Sequence, residues 1–132
     1  MVVALLTQDI FTPRADAYMR RHAPLLIVSD FASAEFASVI ARRVRMRAIT
    51  EHDARTLFAT LDGWMSRNTE LAETTSADVV AATGALRRLD LVLRTADALN
   101  IAIAQRIGAT LMTFDEKMAT AAKALGVAVA PA

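Results

Sequence analysis

Apolar residues in this chain fall into short continuous runs and longer stretches at helical spacing, and the two kinds alternate. Residues 25–28, 109–114 and 127–130 have the length of buried strands, and residues 70–75 are a weaker candidate. Between them, helical stretches have readable ends. Thr12-Pro13 is a good helix start with Pro13 at the first helical position, and Pro24 breaks that helix. Ser29-Asp30 caps a long helix reaching Arg47, with Phe31, Ala34, Val39 and Ile40 expected on its buried side. Thr50 with Asp53 forms a capping box for a helix that places Leu57, Phe58, Leu61 and Trp64 together. Ser76-Ala77-Asp78 opens another helix, which runs to Leu89 despite Gly84.

The stretch from Thr95 to Asp115 organises the rest. Thr95 is expected to cap a helix whose apolar face holds Leu99, Ile101, Ala102 and Ile103. Gly108 stands where that helix should stop, because glycine takes the left-handed terminating conformation without a steric penalty. A buried strand follows and Asp115 closes it; a last helix then runs to Leu125 and stops at Gly126. Helices alternating with short buried strands predict an α/β domain with a parallel sheet flanked by helices. The opening MVVALL reads as the middle of a helix, since no cap or turn precedes it and the pattern decays at Thr7-Gln8-Asp9.

Composition narrows the class. A chain of 132 residues fits one domain, read here as 1–132, and its 55% hydrophobic residues argue against disorder. The net charge of +1 gives no general attraction to nucleic acid, so any basic footprint is local. Arg42, Arg43, Arg45 and Arg47 are such a footprint, readable as a solvated helix end or as a contact for RNA phosphates or an acidic partner. The absence of cysteine excludes disulfides and thiolate metal sites. No run is long enough to span a membrane and no signal peptide is visible, so the expected compartment is the cytoplasm. His22 and His52 sit in polar surroundings and read as surface residues.

Glu35, Asp97 and Asp115 differ from the other acids. Each falls at or just beyond the carboxyl end of an expected strand and is embedded in apolar sequence. In open parallel sheets, functional groups gather there. Converging carboxylates repel unless a cation or proton sits between them, and all-oxygen ligation suits Mg²⁺ or Mn²⁺. Taken singly, Asp97 and Asp115 also read as ordinary helix-start acids. Glu35 is harder to explain that way, because it interrupts Phe31-Ala32-Ser33-Ala34 and Phe36-Ala37.

In SDFASAEF, TADALNIAIAQRIGATLMTFD and the trailing EKMATAAKALGVAV, the sequence resembles PIN-domain proteins, particularly VapC-type toxins of type II toxin–antitoxin pairs. The resemblance covers nearly the whole chain, although residues 49–93 match by pattern only. It implies a three-layer α/β/α sandwich with a parallel sheet and a Mg²⁺- or Mn²⁺-dependent endoribonuclease. RNA would be the substrate and a cognate antitoxin the partner, while dimerisation is left open. It also implies that Glu35, Asp97 and Asp115 are the second, third and fourth acids of the site. Thr113 falls at the hydroxyl position before the last acid, and Asn100 replaces a common histidine. Aligned as the helix after the family's first strand, MVVALL puts the family's first acid upstream of Met1. The expectation is therefore that the natural start lies further upstream and that the chain as given folds poorly by itself. The alternative is a degenerate, non-catalytic member that binds a partner without cutting RNA.

Overall fold

The computed structural model describes residues 12–130. The chain divides into two compact units, one ending at Glu73 and the other beginning at Thr74. The opening MVVALL lies outside the described residues, and with it the expectation about the first helix.

In the first unit, α1 (Thr12–His22) leads into β1 (Leu26–Ser29), followed by α2 (Asp30–Arg45), α3 (Glu51–Asn68) and β2 (Thr69–Ala72). β1 and β2 pair in parallel, from Leu26 opposite Thr69 to Ser29 opposite Ala72. The expected caps are in place. The Ser29 hydroxyl accepts from the Ala32 N–H at 2.9 Å. Thr50 and Asp53 close a full capping box, satisfying donors that a helix start leaves unpaired.

Phe36, Ile40, Ala54 and Leu61 form the buried cluster here, with Leu57, Phe58, Trp64 and Met65 packed against it. Phe36 and Phe58 meet edge to face at 6.4 Å, a favoured aromatic geometry. The inward stripe of α2 therefore differs from the expected one. Phe36 and Ile40 are buried, whereas Ala34 and Val39 are exposed and Phe31 is half-buried. The alanine-rich helix offers several apolar stripes, and the apolar side of α3 selects the one spaced four residues apart, continued by Val44.

In the second unit, α4 (Ser76–Arg87) and α5 (Thr95–Ile107) precede β3 (Leu111–Met112), α6 (Glu116–Ala124) and β4 (Val129–Ala130). β3 and β4 are parallel, pairing Leu111 with Val129 and Met112 with Ala130. The strand expected over residues 109–114 shrinks to the span that β4 can pair. α4 and α5 pack closely, and Ala82 and Ala85 on α4 and Ala98 and Ala102 on α5 are buried. Ile101, Ala104, Met118, Ala121, Ala122 and Val127 form a second cluster that joins α5 to α6. Gly108 takes φ 65° at the end of α5, as its place in the sequence requires. Helices and parallel strand pairs together make this an α/β protein. No helix among the described residues is long and apolar enough to cross a membrane.

Candidate metal centre

Glu35 lies inside α2, just over a turn from its Ser29 cap, and is half-buried. The fully buried Phe36 follows it and anchors that part of the helix in the first unit's core.

Asp97 and Asp115 both belong to the second unit, each at the start of a helix. The N-cap of α5 is Arg94, not Thr95, which is already helical. A guanidinium has no acceptor to offer a helix start. Asp97 compensates from the third helical position, where its Oδ2 accepts the Arg94 N–H at 3.2 Å. This reach back across the first turn moves the cap one residue upstream of the expected position. Asp97 is half-buried and its neighbours Ala98 and Leu99 are buried, so the carboxylate sits at the edge of the core.

Asp115 is the N-cap of α6 and is exposed. Its Oδ1 accepts the Lys117 N–H at 2.8 Å and the Met118 N–H at 3.0 Å. Thr113 fixes the approach to this cap, its Oγ1 accepting the Asp115 N–H at 3.1 Å. Asn100 is half-buried one turn further along α5 than Asp97.

Asp97 and Asp115 thus share one arrangement. One carboxylate oxygen is committed to backbone N–H groups, while the other accepts no hydrogen bond among the described residues. Such oxygens, oriented by their partners and clear of competing thiolate or imidazole donors, suit a hard divalent cation. In neither unit taken by itself do the described residues hold a group of three or more His, Asp or Glu side chains close enough to bind a metal ion.

One buried carboxyl in the second unit is a residue that sequence reasoning did not single out as a site candidate. Asp78, only 1% exposed, accepts a 2.7 Å hydrogen bond from Arg106 Nε. That bond, reinforced by the Thr75 N–H and hydroxyl, holds its carboxyl below the usual range against the opposing effect of burial. The Thr75–Asp78 spacing marks a capping box in the sequence, but nothing there points to Arg106 as partner. In the first unit, Asp53 is also lowered, chiefly by the Thr50 hydroxyl.

No curated protein matches the chain. A family model described as PIN domain matches residues 2–124, which takes in Glu35, Asp97 and Asp115. With so much of its length matched, and with helices and parallel strands arranged as described, the chain belongs to the PIN-domain family, whose members are generally nucleases.

Proposed function

We propose that the protein is a divalent-cation-dependent endoribonuclease, acting as one PIN domain and serving as the toxin of a type II toxin–antitoxin pair. The observation that carries this reading is the shared arrangement of Asp97 and Asp115, each with one oxygen held by a helix start and the other accepting no hydrogen bond among the described residues. Glu35, Asp97 and Asp115 are assigned as ligands of Mg²⁺ or Mn²⁺. When bound, such an ion would favour deprotonation of an attacking water and would offset charge on a phosphodiester under in-line attack.

The chain's own residues do the positioning. The Lys117 and Met118 N–H groups fix the Asp115 carboxylate, and the Thr113 hydroxyl holds the turn that delivers it. Asp97 is fixed by the Arg94 N–H, with Asn100 as a supporting amide on the same helix. Arg42, Arg43, Arg45 and Arg47 are assigned to contact RNA or an acidic antitoxin. The antitoxin is assigned to an apolar helical surface, and the working compartment is the cytoplasm. Sedimentation of the purified chain tests whether it forms a homodimer.

The test is cleavage of a labelled RNA with Mn²⁺, without it, and with Asp97→Asn. Cleavage that needs Mn²⁺ and is lost in the variant supports the reading. Undiminished turnover by Asp97→Asn removes that residue from the site. One observation favours a second reading, a non-catalytic interaction protein: both aspartates already have structural work as helix-start acceptors. Calorimetric titration with Mn²⁺ separates the two, because helix capping alone needs no cation.

A further inference from the structure

We infer that the arginine-rich end of α2 is a docking site for the sugar-phosphate backbone of single-stranded RNA; this rests on the ribonuclease reading and names where that substrate is held. Between Glu35 and Glu51 the sequence holds Arg42, Arg43, Arg45 and Arg47 and no acid. Arg42, Arg45 and Arg47 are exposed and Arg43 is half-buried. None of these four arginines enters an ion pair among the described residues.

Two ordinary explanations fail on the geometry. The first is that the arginines cap the helix's last carbonyls. Backbone groups already do so: the Met46, Arg47 and Ala48 N–H groups donate to the Arg42, Val44 and Arg43 carbonyls, each at 2.9 Å. This is a complete Schellman closure that needs no side chain. The second is that they offset the helix dipole. That dipole amounts to roughly half a negative charge at the C-terminus, and four guanidiniums far exceed it.

What remains is a concentrated positive surface on a protein of net charge +1. Every cation in it is arginine, whose planar fork suits the oxygens of a phosphodiester. The spacing fits an extended polyanion, since residues three and four apart on a helix lie side by side. Arg42 and Arg45 make such a pair on the helix, and Arg47 follows in its closing turn.

Arg47 provides a clean test. It holds φ 58°, the left-handed closing position that glycine fills most easily. Arg47→Gly therefore removes a guanidinium while keeping the backbone conformation.

The measurement is binding of a fluorescein-labelled single-stranded oligoribonucleotide to the full chain in EDTA, followed by anisotropy across a salt series. Wild type, Arg47→Gly and Arg42→Gln/Arg45→Gln are compared, each with a thermal melt. The slope of log K against log salt should fall by about 0.7 for each phosphate that the variant no longer neutralises. Arg47→Gly should bind more weakly while melting no lower than wild type. Unchanged slopes in both variants overturn the docking site. So does tight binding to polyglutamate that the variants lose while keeping RNA affinity, which would mark a surface for an acidic protein. Cleavage of the same oligonucleotide by wild type with Mn²⁺ tests the ribonuclease reading separately. Cleavage with unchanged variant slopes sinks the docking site alone; neither binding nor cleavage sinks both.

Discussion

Arg106 Nε donates to Asp78 Oδ1 at 2.7 Å, and this bond ties the start of α4 to the last turn of α5. The two partners differ in their surroundings: the Asp78 side chain is 1% exposed, the Arg106 side chain 35%. Asp78 also receives the Thr75 N–H at 2.8 Å and the Thr75 hydroxyl at 3.0 Å, so one carboxylate serves both a helix start and an interhelical clamp. Because α5 carries Asp97 in its first turn, the clamp also helps to hold that candidate ligand's helix.

The asymmetry predicts unequal costs for the two truncations. Arg106→Met leaves a buried carboxylate without its cation and should destabilise by about 3 kcal/mol, the low end for breaking a buried pair. Asp78→Ala loses its half of the capping box, but the guanidinium left behind can hydrate; the expected cost is about 1–2 kcal/mol. Urea unfolding of both variants at neutral pH checks the order. Equal costs would show that the clamp, not the buried charge, sets the energy.

The same pair predicts a pH dependence. Arg106 holds the Asp78 carboxyl below its ordinary value, so its stabilisation is complete above about pH 4, the unfolded value. It is lost as pH falls through the depressed folded value. Arg106→Met removes the main cause of that lowering and leaves burial opposed only by the two Thr75 hydrogen bonds. The stability gap between wild type and variant should therefore narrow as pH falls below about 4. Chemical unfolding at a series of acidic pH values measures it, and a constant gap would exclude Asp78 as the titrating group.

Asp115 allows capping to be separated from chemistry. Asparagine caps a helix about as well as aspartate, whereas alanine costs about 1 kcal/mol. Asp115→Asn should therefore melt close to wild type yet lose metal-dependent RNA cleavage, while Asp115→Ala should lose both cleavage and stability. Metal binding supplies an independent readout. Mn²⁺ at about 100 times its dissociation constant should stabilise wild type by about 2.7 kcal/mol, reversed by EDTA. A metal-induced shift that survives in Asp115→Asn would place the ion elsewhere.

Local chemistry was legible in the sequence where one residue decides it. Ser29 and the Thr50–Asp53 box stand where side-chain oxygens and orphan N–H groups require them. Gly108 marks the end of α5 for an equally local reason. Features that depend on distant partners were harder to read. The inward face of α2 is chosen by α3, the length of β3 by β4, and the burial of Asp78 by Arg106. The candidate acids fall between these cases. Asp115 stands at the expected helix start, whereas the cap before Asp97 shifts from Thr95 to Arg94 because a carboxylate inside the first turn reaches back to it.

Two glycines in the second unit predict substitutions of opposite sign. A Cβ added at Gly84 or at Gly108 would meet nothing within 4 Å, so steric crowding by neighbouring elements drops out of the comparison. Gly84 lies inside α4, where alanine is the better helix former and restricts the unfolded chain; Gly84→Ala should stabilise by about 0.5–1 kcal/mol. Gly108 holds φ 65° at the end of α5, where a Cβ crowds the adjoining backbone carbonyl; Gly108→Ala should destabilise by about 1 kcal/mol. Thermal melts of the two single variants, compared with wild type, measure both signs. If Gly108→Ala costs nothing, α5 ends in some other conformation in solution, and the turn carrying the chain from α5 towards Asp115 is not the one described.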